Sequence, residues 1–113
     1  MQRSIFHICS STAWAAANNG EYRCPSLDID GFIHCSTADQ VGEVANSLFR
    51  GQGGLVLLVI DPDRVVANIR YEDAGNGKLY PHIYGPLNVN AVVGVAPLEP
   101  TDGGPFELPA PLA

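Results

Sequence analysis

The apolar residues of this chain occur in short blocks, and the spacing within each block predicts a strand or a helix. The clearest block is residues 55–60 (LVLLVI), an unbroken apolar run between Gly53-Gly54 and Asp61-Pro62. Such a run is typical of a strand covered on both faces, so we predict the central strand of a sheet there. Shorter blocks rich in β-branched and aromatic residues predict further strands at residues 4–9, 32–35, 68–72, 79–84 and 91–96. Pro81 would confine its strand to an edge or a bulge, because proline has no backbone N–H to donate.

The first stretch with helical spacing is residues 13–18. It follows Ser11 and Thr12, either of which can cap a helix, and Asn19-Gly20 after it supplies a left-handed stop. The next stretch, residues 21–30, contains a proline and several polar residues. We predict that it is a loop that partly covers a site.

A second and longer helix is predicted at residues 38–49. Its apolar positions form a stripe at helical spacing, made of Val41, Val44, Ala45, Leu48 and Phe49. The hydroxyl residues before it are suited to cap its first turn, since Ser36 with Asp39 and Thr37 with Gln40 each match the capping-box pattern.

Together these elements predict an α+β fold: a split, mainly antiparallel sheet of about six strands with two principal helices packed on it. A chain of 113 residues fits one domain, residues 1–113, and no repeat or linker divides it. The segment from Pro97 onward is rich in proline, at positions 97, 100, 105, 109 and 111. We expect that segment to be an extended cover or a loose end, outside the core sheet.

Composition narrows the range of partners. Hydrophobic residues make up 46% and charged residues 16%, as in a folded globular protein. The net charge is −6 and Lys78 is the single lysine, which argues against binding to duplex nucleic acid. An odd number of cysteines without a CxxC pair indicates a reduced, cytoplasmic protein, and no run of about 18 apolar residues predicts a membrane span. A small anionic ligand held by a few fixed donors fits this composition, whereas the sequence does not indicate an oligomeric state.

Candidate chemistry centres on the three histidines, His7, His34 and His82, each of which lies inside a predicted strand. Side chains alternate along a strand, so each histidine shares its face with the residues two positions away: Ile5 and Cys9, Phe32 and Ser36, Tyr80 and Tyr84. The rings are then either structural core residues or members of one shared site. A shared site requires them to line one cleft within roughly 10 Å of one another, a span that fits one nucleotide-sized ligand.

Two chemistries could use converging histidines. A metal site would take one imidazole from each of three strands, but the sequence has no HxH or HxxxH pair, and we predict that no metal is held. Recognition of a nucleotide or phosphorylated sugar would use the histidines as donors and aromatic rings as walls. The segment 80–86 (YPHIYGP) suits that role because Tyr84 and a rigid Gly85-Pro86 turn accompany His82. An edge strand with ordinary aromatic packing explains the same segment equally well.

Ser36 and Thr37 are candidates for an anion site at the start of the second helix. The first-turn amides of a helix have no partner within the helix, and the helix dipole favours negative charge there. The alternative is that these hydroxyls are helix caps and nothing more.

Five segments in order resemble one small bacterial family, known only as domain of unknown function 952. They are IFHI at 5–8, GEYRCPS at 20–26, GFIHCST at 31–37, LLVIDP at 57–62 and PHIYGPL at 81–87. Members of that family resemble, at the level of fold, the ADP-ribosyltransferase superfamily, including its RNA 2′-phosphotransferase branch. The resemblance implies an ADP-ribosyltransferase-like fold with NAD as a candidate cofactor.

Within that resemblance His7 matches the residue that holds the ribose side of NAD. Ser36 and Thr37, with His34 just before them, match the hydroxyl motif carried by a strand. Transferases of the superfamily usually place a glutamate on a later strand, where this chain carries His82 and Tyr84 instead. Glu72 and Asp73 on the preceding strand could substitute for it or could be solvated turn residues. The departure puts conventional ADP-ribose transfer in doubt.

The sequence therefore predicts a cleft that binds NAD or a phosphorylated nucleotide, with or without ribosyl- or phosphotransferase-type chemistry. His34 and His82 are the candidate acid–base residues, because imidazole titrates near neutral pH. His7, Ser36, Thr37 and Tyr84 are the candidate ligand-binding residues. The alternative functions are a non-catalytic interaction module with structural histidines and a three-histidine metal site.

Overall fold

Short antiparallel strands and three helices make up the architecture of the computed structural model, which describes residues 4–17, 19–101 and 106. The strands are β1 (Ile5–Ser10), β2 (Glu21–Tyr22), β3 (Ile33–His34), β4 (Leu55–Ile60), β5 (Asn68–Asp73), β6 (Leu79–Tyr84), β7 (Leu87–Asn88) and β8 (Val92–Leu98). The α-helices are α1 (Ser11–Ala15), α2 (Pro25–Ile29) and α3 (Ala38–Leu48), of which α3 is the long one. Single 3₁₀ turns lie at Pro62–Arg64 and Val89–Ala91. The α+β class is confirmed.

The strands form three small sheets in the described part of the chain. Two have three strands, in the orders β1-β4-β8 and β3-β6-β5, and one pairs β2 with β7. The two larger sheets meet at an isolated bridge, where Phe6 N–H donates to Ser36 O and Ser36 N–H donates to Phe6 O, each at 2.8 Å. This junction gives a sheet split into two halves.

The central position predicted for β4 is confirmed. It pairs with β1 on one side and β8 on the other, and its side chains alternate between two buried clusters. Leu58 and Ile60 belong to the cluster that includes Tyr22, Ile33 and Ile83, whereas Leu55 and Leu57 belong to the cluster under α3. Burial on both faces explains why this strand is an unbroken apolar run rather than an alternating one.

Of the two alternatives predicted for the strand of Pro81, an edge or a bulge, the edge was wrong, because β6 is the middle strand of β3-β6-β5. The Pro81 carbonyl accepts from Cys35 N–H at 3.0 Å, so the Pro81 nitrogen faces the β3 side. The β3 ladder consists of only Ile33 and His34, opposite Ile83 and His82, and has ended at that point. Because Pro81 has no N–H, it returns no bond to Cys35 O, and its place at the end of this short ladder limits the loss to that one bond.

Helix α3 starts where the sequence predicted. Thr37 is its N-cap and Gln40 its capping-box partner, since Gln40 Oε1 accepts from Thr37 N–H at 3.0 Å. The Gln40 side chain also donates from Nε2 to Leu79 O at 2.7 Å, which ties the helix to β6. Val41 and Ala45 are buried, but Leu48 is 73% exposed, so its place in the apolar stripe was predicted wrongly.

The two short helices differ from their predicted positions. Helix α1 begins at Ser11 because Ser10 is the cap, its Oγ accepting from Ala13 N–H at 3.1 Å. Asn19 and Gly20 do adopt positive φ, 54° and 77°, but they lie beyond the helix C-cap at Ala16. Residues 25–29, predicted as part of a loop, form α2, since a proline in the first turn is compatible with a helix start.

The proline-rich tail enters the core sheet, contrary to the prediction. Pro97 and Leu98 belong to β8, opposite Val56 and Leu55, and proline is tolerated there because β8 is an edge strand. Phe106 packs into the cluster under α3, and its N–H donates to Asn46 Oδ1 at 2.7 Å. Residues 102–105 and 107–113, also part of that prediction, lie outside the described residues. None of the helices in the described ranges has the length and apolar content to cross a membrane.

Candidate functional site

Two histidines face each other on neighbouring strands. The antiparallel register of β3 and β6 makes His34 and His82 direct partners, and their ring centroids are 5.4 Å apart with the planes at 65°. The alternation of side chains predicted the face of each residue within its own strand. The register between strands, which the sequence did not predict, brings the two rings onto one face.

Each of these histidines is bound to a carboxylate. His82 Nδ1 lies 2.9 Å from Glu72 Oε1, and the Tyr84 hydroxyl donates a short hydrogen bond to the same oxygen. Those bonds, from Tyr84 first and His82 second, hold the pKa of Glu72 below its usual range, and the bond to Glu72 raises the pKa of Tyr84. An ionised carboxylate only accepts hydrogen bonds, so His82 Nδ1 carries a proton, and in the neutral tautomer of that ring Nε2 is the nitrogen without one.

The pair of His34 and Asp30 is exposed, in contrast to the pair of His82 and Glu72. His34 Nε2 lies 2.9 Å from Asp30 Oδ2, and the His34 side chain is 56% exposed, whereas the His82 residue is only 5% exposed. Asp30 is the C-cap of α2, a helix that the sequence did not predict, so this contact was missed.

The Phe32 ring packs against both imidazoles. It stacks on His82 with centroids 4.0 Å apart and planes at 16°, and it also contacts His34 at 4.7 Å and Tyr84 at 5.2 Å. Gly31 makes this position possible: its φ of +88° lies in the left-handed region, which a residue with a side chain rarely adopts. The aromatic cluster restricts the rotation of both histidine rings.

His7 has a different environment from the other two. It is 7% exposed, its Nδ1 lies 2.6 Å from His34 O, and its Nε2 lies 2.8 Å from the Tyr22 hydroxyl. A carbonyl can only accept, so Nδ1–H donates to His34 and the Tyr22 hydroxyl donates to Nε2. Burial lowers the pKa of His7 to about 4, and burial also raises the pKa of Tyr22. His7 is therefore a neutral ring with both nitrogens engaged.

These residues border a cleft of about 590 Å³. Its lining includes the histidine side, with His7, His34, Ser36 and His82, and a β1–α3 side, with Phe6 and Ile8 from β1, Val44 and Leu48 from α3, and Phe49 just after that helix. Thr37 and Tyr84 are not among the lining residues: Thr37 caps α3, and Tyr84 lies behind the histidines, bonded to Glu72. Their predicted contacts with a ligand stay predictions.

Metal and thiol chemistry receive no support from the geometry. Over the described ranges, no group of three or more His, Cys, Asp or Glu residues is placed to hold a metal ion. The thiols of Cys9, Cys24 and Cys35 are free. Cys9 and Cys35 are buried, and burial raises the pKa of both, which disfavours the reactive thiolate.

Comparison with known proteins places the chain in a family. The family model described as "Protein of unknown function (DUF952)" matches residues 8–95. The crystal structure of protein CC0527 from Caulobacter crescentus is similar with a TM-score of 0.85 and 34% sequence identity, covering 93% of this chain and 94% of that one. The solution NMR structure of CC0527 is similar with a TM-score of 0.81 at the same identity, covering 93% and 92%. No curated protein matches.

The family model spans most of the chain, and the similarity to CC0527 extends over nearly all of both chains. The family resemblance seen in the five sequence segments is confirmed, whereas the likeness to ADP-ribosyltransferases stays a prediction. The chain belongs to the DUF952 family of proteins of unknown function.

Proposed function

We propose that this protein binds a phosphorylated nucleotide in the cleft and transfers protons to and from it through His82 and His34. The observation that carries the proposal is the bond between Glu72 and His82 Nδ1 in a ring that lines the cleft. A buried histidine oriented by a carboxylate is a frequent arrangement for general-base catalysis, because the carboxylate fixes the tautomer and stabilises the imidazolium that forms.

His82 is the base in this proposal. In the described part of the chain Glu72 is the one hydrogen-bond partner of its ring, so Nε2 is left to accept a proton from a ligand hydroxyl or a water. Phe32 stacked on the ring and Tyr84 bonded to Glu72 restrict the motion of both partners. A base whose position is fixed before the ligand arrives loses little entropy at the moment of reaction.

His34 is the acid and the phosphate contact. It is exposed at the cleft, and its Nε2 is bound to the Asp30 carboxylate. An imidazolium supplies both a positive charge and a transferable proton, which suits contact with a phosphate oxygen or a leaving group. The two rings are close enough for one small ligand to contact both.

The remaining candidates support these two residues. His7 donates to the His34 carbonyl and so positions β3, instead of contacting the ligand through a free nitrogen. Ser36 lines the cleft beside His34 and offers a hydroxyl. Thr37 acts through the capping of α3, whose first turn follows directly.

Phosphoryl or proton-transfer chemistry fits better than conventional ADP-ribose transfer, although the family resemblance keeps NAD as a candidate ligand. Strand β6 carries no carboxylate where transferases of the superfamily usually have a glutamate. Glu72 on β5 is the nearby carboxylate, but its Oε1 is bound to His82 and Tyr84. Glu72 is thus committed to orienting the base and is poorly placed to hold a ribose hydroxyl. A cleft of about 590 Å³ falls in the usual range of small-molecule sites, roughly 300–1,000 Å³.

The test is calorimetric titration with AMP, NAD and inorganic phosphate, comparing the wild type with His82→Asn and His34→Asn. In His82→Asn the shorter amide can still donate to Glu72, but the distal nitrogen is gone. We expect the wild type to bind AMP or NAD and His34→Asn to weaken binding about tenfold, the loss of a charged hydrogen bond.

Val66→Ala serves as the control, because Val66 is 86% exposed and does not line the cleft. For any turnover detected, His82→Asn should lower kcat by a larger factor than it raises Kd. Absence of nucleotide binding at millimolar concentration, or equal affinity in both histidine variants and the wild type, would contradict the proposal and favour a non-catalytic module.

A further inference from the structure

We infer that the β1–α3 side of the cleft binds the nucleobase of the ligand, recognises it by shape, and uses Leu48 as its outer contact. This inference rests on the proposed function, since it assigns the second half of the same ligand. The histidine side takes the phosphate and ribose, and the β1–α3 side takes the flat base.

The size of the cleft is the first reason. Its lining includes His34 and His82 as well as Phe6 and Phe49, and its volume is about 590 Å³. A phosphate alone occupies a small part of that space. The histidines and the β1 and α3 residues line the same cavity, so a ligand anchored at the histidines has room to place a further group against β1 and α3.

The exposure of Leu48 is the second reason. Leu48 is 73% exposed although it lies on an amphipathic helix in which Val41 and Ala45 are buried and Val44 is half-buried. It lines the cleft together with Val44 and Ser47, which are four and one positions earlier and share that side of α3. When a ligand covers a large exposed apolar side chain at the mouth of a cleft, burial of that surface lowers the free energy of the complex.

The chemistry of the lining is the third reason. The β1–α3 side is bordered by Phe6, Ile8, Val44, Leu48 and Phe49, with side-chain polar groups from Ser47 and Glu43 at its mouth. Glu43 is itself paired with Lys78 Nζ at 3.2 Å, an ion pair that links α3 to the turn before β6. Apolar walls with few free donors accommodate a flat ring without reading its hydrogen-bonding edge, so purine and pyrimidine nucleotides should bind similarly.

The experiment compares AMP with ribose 5-phosphate, which has the same phosphate and sugar but no base. Calorimetric titrations would use the wild type, Leu48→Ala and the control Val66→Ala. We expect Leu48→Ala to weaken AMP binding about tenfold, as for an apolar side chain that becomes buried, and to change ribose 5-phosphate binding less than about twofold. AMP and UMP should bind the wild type within about fivefold of each other.

Three other results of these titrations would contradict the inference, each in a different way. Equal weakening of AMP and ribose 5-phosphate, or no effect on either, overturns the assignment of the base to this side while leaving phosphate binding at the histidines in place. A large preference for one base overturns recognition by shape. If neither ligand binds the wild type, the proposed function fails and this inference fails with it. Because Leu48 is exposed, the variant is expected to fold, which its circular dichroism and melting temperature would verify.

Discussion

At the scale of single residues, the three histidines have three different environments. His7 is buried and neutral, His34 is exposed beside Asp30, and His82 is buried but bound to a carboxylate. The sequence predicted that each lies in a strand, because the β-branched and aromatic neighbours are local. It could not predict their partners, since Tyr22, Glu72 and the His34 carbonyl reach them through pairing of distant segments.

Because His7 is buried, it should make the free energy of unfolding depend on pH. In the unfolded chain His7 takes up a proton near pH 6.5, but in the folded protein its pKa is about 4. Between these values the unfolded state binds more protons, so the free energy of unfolding should fall as the pH drops from 6.5 towards 4. The contribution of His7 to that loss is about 3 kcal/mol over the whole interval.

Urea denaturation at several pH values checks this prediction. His7→Gln cannot titrate, so the difference in unfolding free energy between it and the wild type should shrink as the pH falls through this window. The ring signals of wild-type His7 provide a second readout that does not require the variant to fold. Protonation of His7 near pH 6.5 in the folded protein would show that the ring is not held neutral.

At the scale of elements, strands were predicted better than helices. The bounds of β4 and β6 agree with the predicted blocks, because continuous burial and turn residues on both sides mark them in the sequence. Helix α2 was not predicted, because a proline among polar residues indicates a loop, whereas Pro25 here occupies the first turn of a helix. Leu48 was placed in the core stripe because helical spacing alone does not show which positions face a cleft.

The Gln40 side chain should stabilise the start of α3 through two hydrogen bonds. It accepts from Thr37 N–H and donates to Leu79 O, so Gln40→Ala removes part of the cap and the tie to β6 at once. We expect the free energy of unfolding to fall by about 1–2 kcal/mol, measured by urea denaturation. The matched control is Gln52→Ala: Gln52 is exposed after the helix, and its backbone N–H bond to Phe49 O survives the substitution. Equal stabilities of the two variants would show that the Gln40 contacts contribute nothing.

At the scale of the whole molecule, the split of the sheet creates the cleft. The halves β1-β4-β8 and β3-β6-β5 touch through the Phe6–Ser36 bridge, and Ser36 at that junction lies in the cleft lining. The sequence predicted one split sheet of about six strands, whereas the described strands form three small sheets. It did not predict the small β2–β7 sheet, whose strands of two residues carry too little pattern to be recognised.

The candidate site could be predicted in part. The structure brings His7, His34, Ser36 and His82 to one cleft, whereas Thr37 and Tyr84 lie outside its lining. Asp30 and Phe32, which orient or pack against the histidines, were not proposed as site residues, and Glu72 was only one of two alternatives. Their contacts follow from strand register and from the α2 end, neither of which a residue pattern specifies.

In the proposed site His34 and His82 bind one ligand together, while His7 supports them from inside. A chain with three histidines gives three sets of ring signals, which makes nitrogen-resolved NMR of the imidazoles the most direct measurement during titration with AMP. We predict saturable shifts of the His34 and His82 ring nitrogens, with the His82 Nε2 signal changing from an unprotonated nitrogen towards a hydrogen-bonded one. His7 should keep a protonated Nδ1 throughout. Saturable binding of AMP that leaves the His34 and His82 ring signals unmoved would contradict the account.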